Sequence, residues 1–105
     1  MLEVAHMGLH VAQMTSQAGI LQCFEAVTAA PARILGLEGY GLQPGCRADL
    51  VLLDAASPGE AIRLRAARRL VLRRGEVLSE APRARATLHV PGRPETVDFR
   101  LGRAI

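Results

Sequence analysis

Histidines stand at positions 6 and 10, with Glu3 before them and Gln13 after. Two imidazoles four residues apart share one face of a helix, a spacing used by helical metal sites. A zincin-type site needs a glutamate directly after the first histidine as general base; Met7 stands there instead. At about 100° per residue, Glu3, His6, His10 and Gln13 fall in a polar stripe of roughly 80°. Glu3, His6 and His10 would make a two-histidine, one-carboxylate set, but side chains from a single face reach an ion from one side only. The pattern predicts a polar stripe exposed to solvent or packed at a subunit contact. It predicts no metal ligand among these stripe residues.

The other reactive side chains read the same way. Cys23 and Cys46 form no CxxC pair, and two lone cysteines without a secretory leader fit a reducing cytoplasm. Cys23 beside Phe24 on an apolar helix is expected to be a small core residue. Asp49 and Asp54 flank a strand, where turn and strand-end hydrogen bonds suit them better than acid–base work. His89, next to Val90, is expected to be an ordinary edge residue. The run RLRAARRLVLRR at 63–74 could bind an anion or nucleic acid, yet no aromatic is interleaved with it and several arginines flank strand positions. A solvated sheet face is the expected use.

The elements that must carry these groups divide at about residue 40. Residues 2–14 have helical periodicity, with apolar side chains over all but the polar stripe, so this helix calls for neighbours nearly all round. A second helix runs from about Ile20, with Ile20, Leu21, Phe24 and Val27 on one face. Pro31 interrupts it and opens another in its first turn, which ends at Gly36 in a left-handed cap. Beyond Gly41 strands and turns take over. Gln43-Pro44-Gly45 predicts a type II turn. Asp49–Asp54 predicts a strand buried on both faces, since its centre is continuously apolar. Ser57-Pro58-Gly59 predicts a turn, and 60–67 a short helix. Leu70–Leu72, Arg74-Gly75 and Val77-Leu78 predict a hairpin, and two more strands are expected at 86–90 and 96–100 around Pro91-Gly92. The remaining elements are too few to cover both the first helix and the strand at 50–53, which implies that partner elements lie outside this chain.

Composition narrows the class of function. The chain has 105 residues, 50% hydrophobic and only 3% aromatic with no Trp, so one modest aliphatic core is expected and base stacking is not. A formal charge of +3, with all thirteen basic residues arginine, is a weak pointer to polyanions. No apolar run approaches the ~20 residues of a membrane span, and no signal peptide is evident. A free-standing basic module binding anions or nucleic acid is the alternative of another class, but no nucleic acid and no membrane is the expectation.

Residues 26–54, AVTAAPARILGLEGYGLQPGCRADLVLLD, carry an ordered set: Thr28, Pro31-Ala32, Leu35-Gly36-Leu37, Gly41, Pro44-Gly45 and Ala48-Asp49-Leu50-Val51. Each piece alone is weak, but the set in this order resembles the C-terminal signature of the amidohydrolase superfamily. The hairpin LVLRRGEV at 70–77 is similar to that superfamily's closing strands. The opening HMGLHVAQM and the tail ATLHVPGRPETVDFR, with Pro94-Glu95 and Asp98-Phe99-Arg100, resemble its bacterial cytosine deaminase branch. Ala30 departs from the pattern, where Asn or His is frequent, and this concerns a helix cap. The resemblance implies an α+β fragment: terminal helices of a TIM-type (β/α) barrel in residues 1–40, then C-terminal strands of the β-sandwich in 41–105. It implies a parent that hydrolyses cytosine to uracil and ammonia with a divalent metal, Fe or Zn. A related aminohydrolase acting on another cyclic amidine or triazine C–N bond is the close competitor. The family's HxH pair, middle-strand histidines and late Asp all belong upstream of Met1, so this chain is expected to hold no catalytic residue and no metal. The implied partners are the upstream barrel and sandwich segments, a small pyrimidine substrate, and further copies in a homo-oligomer, in the cytoplasm.

Overall fold

Residues 1–97 are described by the structure, a computed structural model. They form helices α1 (Leu2–Val11), α2 (Gln17–Ala26) and α3 (Ala29–Ile34), strand β1 (Leu50–Leu53), helix α4 (Pro58–Arg63), and strands β2 (Arg68–Arg73), β3 (Glu76–Glu80), β4 (Ala86–Thr87) and β5 (Thr96–Val97). Three helices precede the first strand and α4 lies between β1 and β2, an α+β composition as expected.

The first helix stops at Val11, three residues short of the expected Met14, because Gln13 turns left-handed at φ 54°. The Gln13 amide then bonds the His10 carbonyl at 3.2 Å and the Met14 amide the Leu9 carbonyl at 2.9 Å. That pair of bonds is a Schellman cap, and Met14 packs against the cluster containing Leu9. Ser16 caps α2 by accepting from the Gly19 amide at 3.1 Å, and α2 therefore begins three residues before Ile20. Thr28 donates its hydroxyl to the Phe24 carbonyl at 2.7 Å, closing the end of α2. Pro31 sits in the first turn of α3, where its missing N–H leaves no helical bond unmade. Gly36, at φ 61°, ends that helix with the same double bond, to Arg33 and Ala32.

The turn expected at 57–59 is instead the start of α4, a correction with a local cause. Ser57 accepts from the Glu60 amide at 3.1 Å, Pro58 occupies the first turn, and Glu60 reaches back to the Ala56 amide at 2.8 Å. Together these make a close relative of the capping box. The expected end at 67 is also too late, since Arg65 is left-handed at φ 49° and caps the helix.

Helices α1, α2 and α4 pack on one another, with α3 against α2. At their centre Ile62 of α4 is fully buried, surrounded by Ala5, Leu9 and Cys23. The two expected segments thus share a core, because α4 comes from the second and packs into the first.

Strands β1, β2 and β3 form an antiparallel sheet in that order, with Val51 opposite Val71 and Leu52 opposite Leu70. The hairpin turn uses Arg74 at φ 52° and Gly75 at φ 83°, a two-residue turn with both central residues left-handed. Between Gln43 and Cys46 the Pro44-Gly45 turn closes as expected, with Gly45 at φ 94°. β4 and β5 pair separately and are only two residues each. Of the strand expected at 96–100, Asp98, Phe99 and Arg100 lie outside the described residues.

β1 is not buried on both faces. Val51 is 53% and Leu52 58% exposed, with Leu50 and Leu53 half-buried. Packing runs helix to helix and strand to strand, so among the described residues no helix is laid over the sheet. A continuously apolar strand calls for cover on both faces, and that cover is not among the described residues.

Candidate functional site

The polar stripe of α1 does not simply face solvent. His6 is half-buried, and its Nδ1 lies 3.0 Å from the carbonyl oxygen of Ile62, tying α1 to the last turn of α4. His10, one turn on, is exposed, and its ring meets that of His6 edge-on, with centroids 4.7 Å apart. Glu3 is exposed on the same stripe. Outward instead are Met1, Val4, Met7 and Val11, each more than half exposed. They occupy the side of α1 opposite Leu9, an apolar arc without cover among the described residues.

Asp49 does strand-end work, as expected: its Oδ1 accepts from the Arg74 amide at 2.7 Å, pinning the hairpin turn to the start of β1. The Gly75 amide adds a bond to the Ala48 carbonyl at 3.1 Å. Asp54 approaches Arg83 at 3.8 Å, an exposed ion pair of little energetic weight. Cys23 is buried, Cys46 is half-buried, and both are free thiols. His89 is exposed in the connection after β4.

The arginines of 63–74 are spread over α4, the link after it, β2 and the hairpin turn. They do not line one solvated face. Arg69 is half-buried, and its Nη1 is buried without a hydrogen-bond partner among the described residues. Sequence reasoning missed this group, because nothing in a run of arginines marks which one turns inward.

The surface hollow beside α3, lined by Ala29, Arg33, Leu37, Glu38 and Tyr40 among others, brings no convergent set of acid, base and nucleophile together. Among the described residues no three His, Cys, Asp or Glu side chains gather as a metal centre would. The catalytic divalent metal that the family resemblance implies therefore finds no complete ligand set among the described residues. No described helix is long and apolar enough to cross a membrane.

Comparison with known proteins places this arrangement. A family model described as "Amidohydrolase family" matches residues 1–87. No curated protein sequence matches the chain. Among solved structures, N-isopropylammelide isopropylaminohydrolase from Burkholderia multivorans ATCC 17616 is similar at 38% identity and a TM-score of 0.72, over 75% of this chain and 20% of that one. A 5-methylcytosine deaminase from Klebsiella pneumoniae, liganded with phosphonocytosine, is similar at 33% identity and a TM-score of 0.73, over 79% of this chain and 20% of its own. The same enzyme liganded with 5-fluorocytosine matches equally. The chain thus spans about one fifth of the length of the solved structures it matches.

Proposed function

The chain belongs to the amidohydrolase family, and from that premise we propose that it is the C-terminal portion of a metal-dependent, cytosine deaminase-like enzyme. The parent reaction is hydrolytic: water replaces the exocyclic amine of cytosine, giving uracil and ammonia. Within it, residues 1–40 are the terminal helices of the barrel and residues 41–105 the C-terminal strands of the sandwich. The role of this portion is structural. The observation that carries the reading is the bare apolar surface: α1 exposes Val4, Met7 and Val11, and β1 exposes Val51 and Leu52. Such faces are stable only against a second layer, and the matched structures are about five times longer than the segment they share with this chain. In the parent the catalytic divalent metal, iron or zinc, is held by residues upstream, and no step is assigned to side chains here. The enzyme is read as cytoplasmic, with the free thiols Cys23 and Cys46 in keeping.

The higher identity to an N-isopropylammelide isopropylaminohydrolase supports a second reading, an aminohydrolase that cleaves a C–N bond on another cyclic amidine or triazine. Expression of the reading frame extended upstream of Met1 separates the two. Ammonia released from cytosine or 5-methylcytosine supports the first, and isopropylamine released from N-isopropylammelide supports the second. Residues 1–105 alone are expected to release neither. Deamination of cytosine by the purified 105-residue chain would falsify the structural role.

A further inference from the structure

We propose that His6 and His10 form a two-histidine chelate for a first-row divalent transition ion such as nickel or zinc, a site independent of which reaction the parent performs. The Ile62 carbonyl can only accept a hydrogen bond, so the Nδ1 of His6 at 3.0 Å carries the proton. In the neutral ring the lone pair then lies on Nε2, which makes no hydrogen bond to the described residues. An imidazole whose other nitrogen donates to a backbone carbonyl is held in the tautomer and orientation that metal ligation uses. The carbonyl is itself fixed, since Ile62 is the fully buried centre of the core and its oxygen also accepts from the Arg65 amide at 3.3 Å.

The second ligand is His10, exposed one turn along α1. Two imidazoles sharing one ion, with each metal–nitrogen bond about 2.0–2.1 Å, place their ring centroids about 4.5–5.3 Å apart. The observed separation is 4.7 Å, so a rotation of the exposed ring completes the chelate without moving the helix. Water takes the remaining positions. A pair of neutral imidazoles suits nickel, copper or zinc and leaves calcium and magnesium unbound, because those ions demand oxygen ligands. The sequence argued against a zincin site from Met7 and against a protein-enclosed ion because ligands on one face reach it from one side only. A chelate with water on its open side asks for no more than that one side, and the Ile62 contact that orients His6 lies 56 residues away.

Nickel chloride titrated into reduced residues 1–105, followed by calorimetry and far-UV dichroism, tests the site. One ion per chain is expected, with a rise in helical signal, and calcium chloride is expected to give neither. His10→Ala should weaken nickel binding about tenfold or more, since losing a ligand costs at least as much as losing an orienting partner. This variant removes an exposed ring and keeps the His6–Ile62 contact. His6→Ala should weaken binding at least as much, while His89→Ala should leave it unchanged. If the metal-free chain is loosely folded the test still decides, because a four-residue chelate closes only on a helix. Nickel must then raise the helical signal of the unaltered chain and not that of His10→Ala. Absence of nickel binding, equal binding by His10→Ala, or equal loss in His89→Ala overturns the proposal.

Discussion

Gly19 owes its lack of a side chain to its neighbour. It is buried in the first turn of α2, and a Cβ there would meet the Met14 carbonyl oxygen at 2.7 Å and the Met14 Cβ at 2.9 Å. The obstacle is backbone, held by the Schellman cap of α1, and cannot swing aside. Gly19→Ala is expected to cost about 1–3 kcal/mol, as overpacking does, read from a urea melt of the helical signal. Arg69 poses the opposite case. Its Nη1 is buried and unpartnered, so this chain bears the desolvation penalty without the compensating bond. Arg69→Met keeps much of the apolar stem and removes the unmet donor. In the isolated chain it is expected to hold stability or raise it by up to about 1 kcal/mol. A loss of more than that would mean that Arg69 is satisfied within residues 1–105. Neither residue announces itself in the sequence: Gly19 reads as a helix breaker and Arg69 as one of a charged run. What decides both is a contact across elements, which no local pattern records.

Helices α1, α3 and α4 end in the same device, a left-handed residue followed by an amide returned to the carbonyl five residues earlier. Only one of the three was legible in advance. Gly36 is the residue type that a left-handed position favours, and the end of α3 was read correctly from it. Gln13 and Arg65 carry a Cβ into the same conformation, so helices expected to run to 14 and 67 stop at Val11 and Arg63. A side chain in that region costs about 1–2 kcal/mol, partly offset by the greater chain entropy that glycine loses on folding. Arg65→Gly is therefore expected to stabilise the helical cluster by about 0.5–1 kcal/mol, measured as a rise in the urea midpoint. A fall would show that the Arg65 side chain makes a contact worth more than the strain. At this scale the hairpin and the Pro44-Gly45 turn were readable because their Gly and Pro demand particular dihedrals. The pairing of His6 with Ile62 was not, because it depends on how α4 packs across α1.

The molecule as a whole is spread out for its length. Its radius of gyration is 16.9 Å, against about 13 Å for a compact chain of this size. Buried hydrophobics among the described residues are Ala5, Leu9, Cys23, Ala32, Ala61, Ile62 and Ala66, four of them alanines, which bury little area each. Among the described residues the sheet has no layer packed on it, and Val51, Leu52, Val77 and Leu78 are each more than half exposed. The apolar run at 50–53 was expected to be buried on both faces, and that expectation fails because no described element is laid over it. A folding transition draws its steepness from the surface it buries, so the isolated chain is expected to unfold gradually, with a urea m-value below about 1 kcal/mol/M. It should also self-associate through β1, an unprotected apolar edge. Leu52→Lys places a charge on that edge and should suppress the association, seen as a lower apparent mass in sedimentation, while shifting stability by less than about 0.5 kcal/mol as a surface change does. The same substitution in the complete enzyme should be strongly destabilising, because there the charge would be driven into a covered face. A sharp, fully cooperative transition of a monomeric 105-residue chain would instead describe a domain that needs no partner layer, and the reading of this chain as one portion of a larger amidohydrolase would lose its physical basis.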